Sequence, residues 1–328
     1  MELNPTLHTK SMDVQLRTLI VDAFQYLSPL PQRSYLVIID GLDECHDKAT
    51  QESLLRLLCK TITVQKLPLR FLIGSRPEPH IRDSFDQESL YTVTRRVVLD
   101  ETFDPGRDIR VFLQDGFAKI CVKNSVLSHV KQPWPEDGII DLLVQRSSGQ
   151  FIYAATILKF VGADFCSPTK QLALALKPDP TAFSDLDQLY TQILSVYPSA
   201  VNIVQVLGII VTSDYETLMT PEVIEDILGM EEGELKLVLR GLSSLMEDDK
   251  DENNEKDEKD ENDENWEYQC LNKGVISYVI PHFAHASFRD YLFDSSRSGP
   301  FHVNRQEHED EVTIRSFALI IQLIRSWR

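Results

Sequence analysis

Tyr35-Leu36-Val37-Ile38-Ile39-Asp40-Gly41-Leu42-Asp43-Glu44 sets five apolar residues directly before three acids in five positions. A continuous apolar run of that length reads as a strand buried on both faces, the kind found in parallel sheets. Open α/β sheets hold their ligands at the carboxyl ends of the strands, so Asp40 is delivered to where a ligand is expected. A carboxylate there can hold Mg²⁺, directly or through water, beside nucleotide phosphates. Asp43 and Glu44, one turn further on, are placed to orient or deprotonate an attacking water. Three neighbouring carboxylates repel one another unless a cation lies among them, which favours a metal-facing role over a solvated turn.

The flanking sequence supplies the rest of a sheet. Residues 13–27 carry one helical stripe (Val14, Leu16, Leu19, Ile20, Phe24, Leu27), ended by Pro29 and Pro31. A helix is predicted over about 51–63, where Leu54, Leu55, Leu57, Leu58 and Ile62 form the packed side. Leu69–Gly74 reads as a second buried strand, and the β-rich Tyr91–Leu99 as a third. Strand, helix and strand at this spacing predict a parallel α/β sheet.

After Asp104 the periodicity turns helical, near 105–123, 135–146, 150–163, 183–196 and 198–211. Thr220-Pro221-Glu222 combines a hydroxyl N-cap, a first-turn proline and an acid at the positive end of the helix dipole. The helix it starts (about 221–228), the break at Gly229 and a second helix (about 231–246) form a helix-turn-helix-like pair. Val275–Ile280 then reads as a strand and His285–Phe293 as a helix, which together suggest a winged helix. The last segment is amphipathic, with Val312, Ile314, Phe317, Ile320, Ile321 and Ile324.

Charge narrows the function classes. The net charge is −18, and residues 247–264 hold 12 acids and 3 Lys, half of that excess in one tract. Such a tract buries too little apolar surface to fold and is predicted to be a disordered insertion at the wing. An acidic body argues against nucleic acid, which needs Lys and Arg to neutralise phosphate. Cys45, Cys59, Cys121, Cys166 and Cys270 are scattered and odd in number, without a C-x-x-C pair, as expected in a reducing compartment. The polar start MELNPTLHTKSM has no signal-peptide core, and the apolar stretch Val201–Val211 is too short to span a membrane. The expectation is a cytoplasmic protein with no membrane partner.

YLVIIDGLDEC followed about thirty residues later by FLIGSRPEP resembles the Walker B and sensor segments of NACHT-domain NTPases. The chain is similar, more closely, to fungal STAND-class proteins with a nephrocystin-3-like NACHT module. RSSGQFIYAATILKFV (146–161), DLDQLYTQIL (185–194) and FAHASFRDYL followed by SRSGPFHV (283–303) agree with that resemblance. It implies a partial NACHT α/β core over 1–103, a helical domain over 104–180 and a winged-helix domain over 181–303. Residues 304–328 would begin a further helical domain. The fold class is thus α/β followed by all-α, with a partial P-loop-NTPase-type parallel sheet. The implied function is a signalling switch of the NOD-like receptor type, in which bound nucleotide holds a closed state.

By position the resemblance makes Asp40 the Mg²⁺-associated acid, Asp43 and Glu44 the extended acidic pair, and Arg76 the sensor arginine that reads the terminal phosphate. A guanidinium at a strand's carboxyl end can fork onto phosphate oxygens; its alternative role is pairing with nearby acids such as Glu78. His285 matches the winged-helix histidine that touches a diphosphate, and its alternative is a satisfied core residue. Gly149-Gln150-Phe151 falls where relatives carry Gly-x-Pro against adenine, and Phe151 departs from that pattern.

The implied ligands are ATP or ADP with Mg²⁺. A P-loop requires G-x-x-x-x-G-K-[ST], whose backbone N–H groups and Lys cradle phosphate. None of the thirteen glycines here is followed by lysine. A helix already occupies much of the stretch before Asp40, which leaves no room for the missing strand and reads as truncation before Walker B. Little or no ATP hydrolysis is therefore expected. In this class the P-loop strand pairs beside the strand ending at Arg76, so its absence would expose a hydrophobic sheet edge. That supports a second reading, a non-enzymatic scaffold or decoy that associates with other NACHT or STAND proteins or with itself. A third, a winged-helix DNA-binding regulator, is weakened by helix 231–246, which opens on Glu231, Glu232 and Glu234 and offers only Lys236 and Arg240.

Overall fold

The computed structural model describes residues 6–25, 33–45, 47–64, 67–99, 103–164, 166–177, 184–196, 200–212, 220–246, 283 and 285–326. The chain divides into two compact units, Met1–Val98 and Leu99–Arg328.

In the first unit, α1 (Met12–Leu16), a π-helical turn (Arg17–Val21) and α2 (Asp22–Gln25) run on without a break. Pro29 and Pro31, expected to end this helix, lie outside the described residues. The strand β1 (Tyr35–Ile39) is followed by α3 (Lys48–Thr63) and β2 (Leu69–Ile73). Asp47 caps α3 by accepting the backbone N–H of Thr50 at 2.7 Å and its hydroxyl at 3.0 Å. The two strands pair in parallel from Tyr35↔Leu69 to Ile39↔Ile73, with α3 as the crossover that parallel pairing demands. Two short helices follow, α4 (Pro79–Asp86) and α5 (Glu88–Tyr91). Leu42, Leu55, Cys59, Ile81 and Leu90 form the core, and Ile73 packs against it from β2.

Two expectations are corrected here. β1 is not buried on both faces: Leu36, Ile38 and Leu72 share one face of the sheet and are exposed, Ile38 at 67%. The packed cluster that Ile73 joins lies on the opposite face. Residues 92–99 form no strand, and Val97, Val98 and Leu99 are exposed. β-branched residues favour a strand only where a neighbouring strand offers its backbone and a surface to pack on.

The second unit is helical: α6 (Pro105–Lys123), α7 (Asp137–Ser147), α8 (Phe151–Val161), α9 (Pro168–Ala175), α10 (Asp185–Leu194) and α11 (Ala200–Thr212). They are followed by α12 (Pro221–Leu228), α13 (Glu234–Gly241), α14 (Ala286–Phe293), α15 (Ser295–Ser298) and α16 (Arg305–Ser326). One buried cluster takes residues all the way from Ile109 to Val303. At its centre Phe288 lies edge-on to Tyr190 (4.9 Å) and to Phe283 (4.9 Å) and stacks with Tyr291 (6.0 Å).

The expected helix pair is present as α12 and α13. Thr220 caps α12 by accepting the Val223 N–H at 3.3 Å, and Gly229 closes it in the left-handed region (φ +66°). Met246 and Phe283 form an isolated antiparallel bridge. Both the acidic tract 247–264 and the expected strand Val275–Ile280 lie outside the described residues. The strands that would complete a winged helix are thus not among those described.

Candidate functional site at the strand tips

β1 delivers Asp40 to the carboxyl end of the sheet, as its apolar run requires. Asp40 Oδ1 accepts the Gly41 N–H at 3.0 Å and lies across Gly74, the residue that follows β2. A Cβ at Gly74 would stand 2.5 Å from that oxygen, so only glycine lets the carboxylate rest over the neighbouring strand end. Backbone bonds lock the two tips together: Gly74 N–H donates to Ile39 O (2.8 Å) and Leu42 N–H to Gly74 O (3.1 Å). Gly41 turns the chain at φ +68°, and a 3₁₀ turn, Leu42–Glu44, follows. Leu42 anchors that turn in the core while the Glu44 side chain folds back over Gly41.

Asp43 faces the other strand. Its Oδ1 accepts the backbone N–H of Arg76 (2.9 Å) and the hydroxyl of Ser75 (3.2 Å), and its Oδ2 lies 3.4 Å from Arg76 Nε. The Asp43 side chain is only 9% exposed, whereas that of Arg76 is 40% exposed. Asp43 therefore joins the turn after β1 to the segment after β2 and orients the arginine by an ion pair and a main-chain bond at once.

The sequence reading missed the support beneath this turn. Gln51, buried on α3, donates its amide to Asp43 O (3.1 Å) and Cys45 O (2.8 Å). Its remaining oxygen accepts from His80 Nε2 on α4 at 2.5 Å, which assigns the Nε2–H tautomer or the cation to His80. The available signal was a glutamine on the same helical stripe as Leu54, Leu55 and Leu58.

His285 and Phe151 belong to the second unit. His285 is the N-cap of α14: its Nδ1 accepts the Ser287 N–H at 3.1 Å and lies 2.7 Å from Ser287 Oγ. Ser287 Oγ in turn meets Tyr190 OH at 2.8 Å, so this histidine is tied into a partly buried hydroxyl chain. Phe151 opens α8, is 45% exposed and meets Phe112 edge-on at 5.8 Å.

The same unit holds an ion pair that the sequence did not disclose. Arg297 forks onto Asp187, Nη2 to Oδ1 at 2.7 Å and Nε to Oδ2 at 3.1 Å, with Asp187 almost wholly buried.

Among the described residues no group of three or more His, Cys, Asp or Glu could hold a metal ion, and no helix is long and apolar enough to cross a membrane. Residues 2–76 match the family model described as Nephrocystin 3, N-terminal, a NACHT-associated domain. The match ends at Arg76 and thus takes in β1, α3, β2 and the strand-tip site. No curated protein and no solved structure matches the chain.

Proposed function

We propose that the chain is a NACHT-type module of the STAND class, part of a cytoplasmic nucleotide-dependent signalling switch of the NOD-like receptor kind, that hydrolyses little or no ATP by itself. One observation carries this reading. Asp40, Asp43 and Arg76 converge at the carboxyl ends of two paired parallel strands, inside the stretch that matches the Nephrocystin 3, N-terminal model.

In this reading Asp40 is the Walker B acid and holds Mg²⁺, a cation that asks for only one or two carboxylates when substrate phosphates supply its other ligands. Arg76, held by Asp43, faces the terminal phosphate, and Glu44 is left as the acid for an attacking water. The acidic side of the site fits Mg²⁺ with ATP or ADP. The phosphate cradle does not, because no glycine of the chain precedes a lysine. Binding is therefore expected to be weak, and its partners are expected to be proteins, chiefly other NACHT or STAND members.

The test is an amide NMR titration of the chain with Mg²⁺ and ATP or ADP, alongside a turnover assay. Shifts confined to Asp40, Glu44 and Arg76 at about millimolar nucleotide, removed by Asp40→Ala, are the expected result. A tip that does not respond, or responds equally in Asp40→Ala, overturns the nucleotide reading. Micromolar affinity or steady turnover overturns its inactivity.

The exposed face of Leu36, Ile38 and Leu72 favours a second reading, a non-enzymatic scaffold or decoy that covers this face with another NACHT protein. Co-purification with a NACHT relative, lost in Ile38→Lys, would support it.

A further inference from the structure

α16 carries two apolar stripes, and among the described residues only one of them is packed. The inner stripe packs on α11 and α12. Val312 and Leu319 join the cluster of Val206, Ile209, Ile224, Ile227 and Leu235. The His308 ring sits directly on Gly208, and Arg315 Nη1 donates to Ile227 O at 3.3 Å. The outer stripe is Ile314, Phe317, Ile321 and Ile324, each between 49% and 68% exposed. With 3.6 residues per turn, this stripe lies about half a turn round the helix from His308, Val312, Arg315 and Leu319. Its 3-4-3 spacing is the a/d repeat of a coiled-coil seam.

The charges on the same helix say what would cover it. Residues 305–311 hold four acids and one arginine, whereas residues 312–328 hold three arginines and no acid. The heptad spacing, continued towards the N-terminus, reaches exposed Asp310. An antiparallel pairing of two identical helices about residue 319 sets Ile314 opposite Ile324 and Phe317 opposite Ile321. It brings the acidic start of each helix, residues 305–311, alongside the arginine-bearing end of the other. A parallel pairing would instead stack acid on acid and arginine on arginine.

We propose that the outer face of α16 is a homodimer interface, covered by α16 of a second copy of this chain in antiparallel, two-fold symmetric register. Such an isologous contact uses each residue twice, so one apolar stripe flanked by opposite charges closes the assembly. The seam is short, about two heptads, and falls below the area of a standard stable interface, so a dissociation constant on the order of 10 μM is expected. The inference draws on α16 alone and stands whether or not the β1–β2 tip meets a nucleotide.

Sedimentation velocity on the 328-residue chain, over a concentration range bracketing that value, tests it. A monomer–dimer equilibrium is expected, weakened at least tenfold by Phe317→Glu, whose site is exposed and leaves the inner stripe intact. Circular dichroism of that variant checks that the helices persist. Asp310→Arg, which sets a cation beside the arginine-bearing end of the partner helix, should also weaken the dimer. A chain that stays monomeric throughout, its stripe serving some other partner, overturns the proposal. So does a dimer indifferent to Phe317→Glu, or one strengthened by Asp310→Arg.

Discussion

Asp43 Oδ1 lies 2.9 Å from the backbone nitrogen of Arg76, thirty-three residues further along the chain. One carboxylate thus closes the β1 turn onto the segment after β2 while its other oxygen holds the guanidinium. Asp43→Asn keeps an acceptor but loses the charge, and Asp43→Ala loses both. Hydrogen bonds to a charged partner contribute about 1.5–3 kcal/mol, less here because Arg76 is partly solvated. The expected outcome is faster amide exchange at Arg76 in both variants, the larger increase in Asp43→Ala. Unchanged protection in Asp43→Ala would remove Asp43 from this positioning role.

Gly74 is tested by a single methyl group. With a Cβ 2.5 Å from Asp40 Oδ1, Gly74→Ala must push the carboxylate off the strand end. The backbone bonds of Gly74 to Ile39 and Leu42 do not involve its side chain, so the strand pair should survive. The expected result is a shifted amide signal at Gly41, whose N–H Asp40 accepts, with little change in the β2 signals. A Gly41 signal identical to that of the parent chain would show that the carboxylate does not lie where the structure puts it.

What the sequence disclosed, and what it hid, follows from how local each signal is. Tyr35–Ile39 and Leu69–Ile73 were legible because a run of apolar residues between polar turns has few other uses, and α3 because its leucines repeat at helical spacing. The Tyr91–Leu99 segment has strand-like composition, but composition does not supply the neighbour that a strand needs. α9 (Pro168–Ala175) passed unnoticed since eight residues give little more than two turns in which periodicity can register. Asp40 and Arg76 were visible as residues at strand ends. The roles of Gln51 and His80 were not, because a hydrogen bond across 29 positions leaves no trace in a window. Asp187 reads as an acid in the first turn of a helix, and only Arg297, 110 residues on, makes it a buried ion.

That pair gives the largest expected loss. Removing Arg297 strands the almost wholly buried Asp187 and costs about 3–5 kcal/mol; removing Asp187 costs less because Arg297 is partly exposed, and replacing both by apolar residues of similar volume costs less than losing Arg297 alone. Arg297→Met should lower the denaturant midpoint of the Leu99–Arg328 unit sharply and Asp187→Leu less so, and the double variant should recover most of the loss. A double variant as unstable as the sum of the two singles would mean that the ion pair contributes as two independent contacts.

Alkaline stability should be governed by three tyrosines of the same core. Burial pushes the phenols of Tyr153, Tyr190 and Tyr291 up to about 12 each, although Arg146, Ser287 and Thr191 respectively pull in the other direction. An unfolded tyrosine titrates near pH 10, so between roughly pH 10 and 12 the folded chain binds more protons than the unfolded one. Stability then falls as pH rises through that window, by up to ~3 kcal/mol per tyrosine, and below pH 10 these groups contribute no pH dependence. Tyr291→Phe removes one of the three phenols and frees the Thr191 hydroxyl that it meets at 2.8 Å. The variant should therefore lose a little stability at neutral pH yet decline less steeply above pH 10. Denaturant unfolding at a series of pH values, with phenolate absorbance followed in parallel, measures both slopes. Equal slopes in the two proteins would show that Tyr291 ionises as freely in the folded chain as in the unfolded one.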